Sequence, residues 1–96
     1  MRKKNTEPME EVINQYLRAI GADVKLKEIR LKRNWEEIIG GNIAKKTEKI
    51  LIKDSVFHIK VSSSIVKSEL LMIKQEIIRR LNAYAGETII RDFKVY

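Results

Sequence analysis

Between Lys49 and Val61 the apolar residues of this chain stop recurring every three or four positions and begin to alternate. A period of two places successive side chains on opposite faces of a sheet. Lys49-Ile50-Leu51-Ile52-Lys53 and Val56-Phe57-His58-Ile59-Lys60-Val61 therefore read as strands. Only Asp54-Ser55 separates them, a length that permits an antiparallel hairpin and little else, although Asp-Ser is a poorer turn pair than Asp-Gly. Phe57, Ile59 and Val61 face one way with Ile50 and Ile52, while Lys49, Leu51, Lys53, Val56, His58 and Lys60 face the other. A lone hairpin is marginal in water, so the flanking segments must cover its apolar face.

Those flanks carry helical periods. Met9, Val12, Ile13, Tyr16, Leu17 and Ile20 form one stripe over residues 7–20. Thr6 serves there as N-cap, Pro8 lies in the first turn, Glu7, Glu10 and Glu11 suit the positive helix end, and Gly21 is a left-handed stop. A second helix is predicted over 24–39, capped by Asp23, with Leu31, Trp35, Ile38 and Ile39 on one face. That spacing assigns Trp35 to the core. Gly40-Gly41 ends the helix, and one further turn is expected over 42–46. Beyond the hairpin, Ser62-Ser63-Ser64 introduces a long helix to about Tyr84 with Ser64 as N-cap. Val66, Leu70, Ile73, Ile77, Leu81 and Tyr84 share its inner face. Gly86 stops it. Alternation then returns, with Phe93 and Val95 on one side of a closing strand. The order α-α-β-β-α-β predicts an α+β fold whose three-stranded sheet is covered on one face by helices. Its β-α-β crossover is expected to be right-handed. Leu71, Ile78 and Ala85 make a second stripe on the long helix, bordered by Lys67 and Lys74. It either receives the stripe of the first helix or serves as a protein–protein seam.

With 96 residues the chain has room for one domain, read as residues 7–96 after a flexible basic stretch over 1–6. The absence of cysteine excludes disulfides, thiolate zinc and a Cys nucleophile. His58, the only histidine, lacks a companion ligand and reads as a surface residue of its strand. The serine triplet has no paired base and is explained by capping. Glu36-Glu37 is adjacent on a helix, where neighbours do not face each other. Gly40-Gly41 sits in no phosphate-cradling pattern. No enzyme, metal, cofactor or small-molecule substrate is expected. No apolar run is long enough for a membrane span. Asn5-Thr6-Glu7-Pro8 follows Arg2-Lys3-Lys4 where a signal peptide would be apolar, so the protein is expected inside the cell.

The formal net charge is +7, and it is unevenly spread. Residues 25–53 carry nine basic and four acidic side chains, whereas residues 1–24 carry four of each. Lys25, Lys27, Arg30, Lys32, Arg33, Lys45, Lys46 and Lys49 are candidate phosphate contacts, since counterion release rewards clustered cations on a nucleic-acid backbone. The outward sheet face is a second candidate. There Lys49, Lys53, Lys60 and His58 join Leu51 and Val56, with Lys94 and Tyr96 on the closing strand, a mixture suited to single strands whose bases can stack.

Trp35-x-x-Ile38-Ile39-Gly40-x-x-Ile43-Ala44-x-x-Thr47, the hairpin, Val61-Ser62-Ser63-Ser64, Glu69-Leu70, Arg80-Leu81-Asn82 and a closing Ile-x-x-Phe follow one another in an order that resembles the DciA family, bacterial operators of the replicative helicase. The resemblance covers about residues 8–96. It implies a KH-like domain, DNA binding, recruitment or loading of the replicative helicase, and a bacterial cytoplasmic setting. Longer members carry a C-terminal extension that engages the helicase. This sequence resembles a short form, for which Leu71 and Ile78 are the candidate partner contacts. The GxxG loop of true KH modules is missing. The expected function is a non-enzymatic DNA-binding adaptor in replication. The alternatives are a protein-interaction module, dimeric or otherwise, without nucleic-acid binding, and a KH-like RNA-binding protein.

Overall fold

A computed structural model describes residues 3–19 and 21–96, with side chains from Pro8 onward except at Leu17. Four helices, α1 (Lys3–Ala19), α2 (Ala22–Arg33), α3 (Trp35–Ile39) and α4 (Gly41–Lys45), precede strands β1 (Thr47–Lys53) and β2 (Val56–Val61). Helices α5 (Ser64–Met72) and α6 (Lys74–Ala85) then lead to β3 (Asp92–Val95). The sheet order is β1-β2-β3. The hairpin pairs antiparallel, with Ile50 opposite Ile59 and Ile52 opposite Phe57. Strand β3 joins β2 in parallel, with Phe93 beside Phe57 and Val95 beside Ile59. All the inward positions thus fall on one face, as the alternation requires.

Helices cover that face alone. Phe57, Phe93, Leu31, Ile59, Leu70, Ile77, Leu81 and Ile90 are fully buried, with Trp35, Ile39, Ile52 and Val66 close behind. Trp35, Phe57 and Phe93 form the aromatic centre, with ring centroids 5.1, 6.4 and 6.0 Å apart. Each such pair adds about 0.5–1.5 kcal/mol beyond simple burial. The α+β class and three-stranded sheet are as the sequence implies, and Trp35 is a core residue.

Several local expectations are corrected. Helix α1 begins at Lys3, so Thr6 lies within it rather than capping it, and Pro8 is interior. Ile20 and the side chain of Leu17 fall outside the described residues, as do Met1 and Arg2 of the expected flexible stretch. Gly21, at φ 79°, precedes α2 directly, and Asp23 pairs with Lys27 at 3.7 Å instead of capping. The predicted 24–39 helix is broken at Asn34 (φ −108°, ψ 23°). Its side-chain Nδ2 donates to the Arg30 carbonyl at 2.9 Å, the local backbone competition that makes asparagine a poor interior helix residue. The long helix is likewise divided at Ile73 (φ −112°, ψ 26°), where the N–H bonds to Leu70 three residues back. No glycine or proline marks that site. The division lets α5 pack on the strands while α6 packs on α2 and α3. Ser63, not Ser64, is the cap, its hydroxyl accepting from the Val66 N–H at 3.2 Å.

Among the described residues, the apolar stripe of α1 does not pack on the long helix. Its packing partner is α2, and Met9, Val12, Ile13 and Tyr16 are all at least half exposed. The second stripe is split as well: Ala85 is buried, Ile78 packs partly into the core, and Leu71 is exposed.

Candidate nucleic-acid interface

The basic site begins with a buried polar linkage. Trp35 needs a partner for its indole N–H once its ring enters the core. Nε1 donates to Thr47 Oγ1 at 3.0 Å, and the Thr47 hydroxyl donates to the Ile43 carbonyl at 2.9 Å. This ties the start of α3 to the start of β1 across α4. Gly40, at φ 102°, a conformation suited to glycine, makes the sharp turn between α3 and α4. The linkage brings the last turn of α2 beside β1. Lys32 and Arg33 consequently line, with Lys49, one open hollow of about 410 Å³ that also includes Trp35, Ala44, Thr47, Glu36 and Glu48.

The eight candidate cations divide by their surroundings. Lys25 pairs with Glu28 at 3.4 Å, and Lys27 contacts both Asp23 and Glu87. Arg30, Lys32, Arg33, Lys45, Lys46 and Lys49 form no ion pair with any described residue. Arg30 and Arg33 line a neighbouring hollow with Leu26, Ile29, Asn34 and Tyr84. Lys45 ends α4, and Lys46 follows it, its carbonyl accepting from the Ser62 N–H at 2.8 Å. The structure therefore joins Lys32, Arg33 and Lys49 directly and sets Lys25 and Lys27 among acids.

On the outer sheet face, strand pairing builds a grid. Lys49 lies opposite Lys60, Leu51 opposite His58, and His58 beside Lys94. The ladder continues through Tyr96, whose N–H donates to the Ile59 carbonyl at 2.8 Å. His58 and Tyr96 stack with centroids 5.8 Å apart and planes 21° apart, and His58 Nδ1 lies 3.0 Å from the Tyr96 hydroxyl. Leu51, His58, Ile59 and Tyr96 with Lys49, Lys53 and Lys60 line a mainly apolar hollow of about 400 Å³. The His58–Tyr96 contact depends on the parallel pairing of β3, which local periodicity does not reveal.

Other charged groups are engaged elsewhere. Glu76 accepts hydrogen bonds from Arg79 and Arg80, which hold its carboxyl down at about 2. Asp92 is also held below the ordinary aspartate range, first by Lys74 at 2.8 Å and then by the Phe93 N–H. Burial, reinforced by Glu37, raises the Tyr84 phenol. Among the described residues no group of three or more His, Asp or Glu is arranged to hold a metal, and no helix is long and apolar enough to cross a membrane.

The family model described as "Dna[CI] antecedent, DciA" matches residues 8–95. The chain belongs to the DciA family. A "UPF0232 protein" of Corynebacterium glutamicum (strain R) is 25% identical over 93 residues, covering 97% of this chain and 52% of that protein. The chain thus spans about half the length of that curated relative. Within this DciA domain, the residues that carried the resemblance have structural work: Trp35 and Thr47 form the buried linkage, and Gly40 turns the chain. Asn82 Oδ1 accepts from the N–H groups of Ile89 and Ile90 at 3.0 and 2.8 Å, and its Nδ2 donates to the Ile90 carbonyl at 2.9 Å. In the sequence Asn82 stands only within the Arg80-Leu81-Asn82 pattern, because its partners lie seven and eight residues on, in a loop.

Proposed function

We propose that this DciA-family protein is a non-enzymatic DNA-binding adaptor in bacterial replication that helps recruit or load the replicative helicase. The observation that carries the DNA-binding part is the meeting of Lys32 and Arg33 with Lys49, from separate elements, in one open hollow where none of the three has an acidic ion-pair partner among the described residues. Such cations retain their capacity to replace the counterions of a phosphate backbone. Arg30, Lys45 and Lys46 extend the contact surface, while Lys25 and Lys27 contribute less because nearby acids already offset them. The helicase part follows from family membership. Leu71, exposed on α5, is the proposed partner contact; Ile78, on α6 beyond the break at Ile73, packs partly into the core.

Two measurements test these parts separately. At low salt the protein should bind both single- and double-stranded oligonucleotides; no detectable binding to either contradicts the DNA-binding role. With the purified replicative helicase of the same bacterium, adding the protein should increase helicase loaded on forked DNA, and Leu71→Lys should reduce that gain while leaving DNA affinity intact. No gain with the unaltered protein contradicts the adaptor role.

A further inference from the structure

The basic hollow accounts for phosphate contacts but not for the outer sheet face. We propose that this face is a platform for the bases of single-stranded DNA, with Tyr96 and His58 providing the stacking surface and Lys49, Lys53 and Lys94 meeting the flanking phosphates. The inference rests on the DNA-binding reading above and assigns a further site and a strand state to it.

Four observations converge. Among the described residues the face carries no helical cover, and Tyr96 and Leu51, on its two flanks beside the central strand, remain 57% and 55% exposed. Its two rings are already ordered against each other by stacking and by the Nδ1–hydroxyl contact. An ordered ring loses little freedom when a base joins it, and every base has a π-face to offer. Third, the face is electropositive. Asp92 is held by Lys74, and Glu48 lies 4.0 Å from Lys60. Lys49, Lys53 and Lys94 have no ion pair with a described residue. Finally, Lys49 lines both the basic hollow and this one, so one backbone can pass from Lys32 and Arg33 onto the sheet without leaving positive surface.

This chemistry selects a single strand. In a duplex the bases are paired and stacked on one another, and their faces cannot reach a ring on a flat sheet. A protein partner fits less well, because lysines encircling a small apolar centre would have to be desolvated against acids placed to match them.

The test is fluorescence anisotropy with an oligothymidylate, an abasic strand of equal length, a duplex, a matched oligouridylate and polyglutamate as competitor. The unaltered protein should bind the oligothymidylate about tenfold more tightly than the abasic strand, and Tyr96→Ala should abolish that preference while leaving abasic and duplex affinities unchanged. Tyr96→Phe, which keeps the ring and removes the hydroxyl, should retain it. Lys32→Glu/Arg33→Glu should weaken all DNA ligands alike. Unchanged oligothymidylate affinity in Tyr96→Ala and His58→Ala, in a protein that binds DNA, overturns the platform alone. Tighter binding of the oligouridylate, or displacement of the oligothymidylate from the sheet by polyglutamate at equal charge, overturns the assignment to DNA. Failure to bind any nucleic acid overturns this inference together with the DNA-binding function.

Discussion

Thr47 holds a buried indole with one hydroxyl, and its removal separates polar from steric effects. Thr47→Val keeps the shape and leaves Trp35 Nε1 without its acceptor, at a cost of about 1–3 kcal/mol. Urea unfolding should show a lower midpoint with little change in slope. Asn82→Ala removes three hydrogen bonds and leaves the Ile89 and Ile90 N–H groups without their partner. It should cost at least about 2 kcal/mol by the same measurement, since a buried unpaired donor is penalised beyond the bond it loses. At this scale the sequence was legible where periodicity applies: Leu31, Ile38 and Ile39 place Trp35 in the core. Its hydrogen-bond partner lies twelve residues away on another element, and Asn82 reaches a loop beyond its own helix. Neither pairing follows from a local pattern, because each exists only after the chain has packed.

The hairpin is the element whose local chemistry agrees least with its conformation. Asp54 and Ser55 adopt φ 54° and 65°, the left-handed pair of a two-residue hairpin turn, without glycine at either position. Such a conformation costs an L-residue roughly 1–2 kcal/mol. Ser55→Gly should therefore stabilise the domain by about 0.5–1 kcal/mol after the added freedom of the unfolded chain is allowed for, read as a raised thermal midpoint. Helix α6 offers a pH prediction. The Arg79 and Arg80 bonds lower the Glu76 carboxyl from 4.5 to about 2. A depressed carboxylate contributes stability that is complete above its unfolded value and is lost as pH falls through the folded one. The Glu76 side-chain carboxyl resonance should accordingly titrate near pH 2, and an ordinary glutamate midpoint would contradict the arginine contacts. Element types were readable from period, and the stops from Gly21, Gly40 and Gly86, which all adopt positive φ. The breaks at Asn34 and Ile73 were not, because the apolar stripe runs on across both and packing decides where each helix bends.

The whole molecule is elongated, with extents of 53 × 25 × 19 Å. Helix α1 packs chiefly on α2 and leaves Met9, Val12, Ile13 and Tyr16 of its apolar stripe exposed. Amphipathic spacing identified that stripe correctly but not its environment, since a hydrophobic face states that burial is favourable and not which surface supplies it. Charge behaves similarly. Its concentration over residues 25–53 is visible in the sequence, whereas only the fold separates the cations offset by Glu28, Asp23 and Glu87 from those gathered at the mouth of β1. The central claim is that the latter group meets a DNA backbone. The most direct measurement is the slope of log affinity against log salt for a short duplex, compared between the unaltered protein and Lys32→Glu/Arg33→Glu. Each phosphate contact contributes about −0.9 to that slope on duplex DNA. Loss of the two cations should therefore make it shallower by about two units and weaken binding on every sequence tested. An unchanged slope and affinity would contradict the claim.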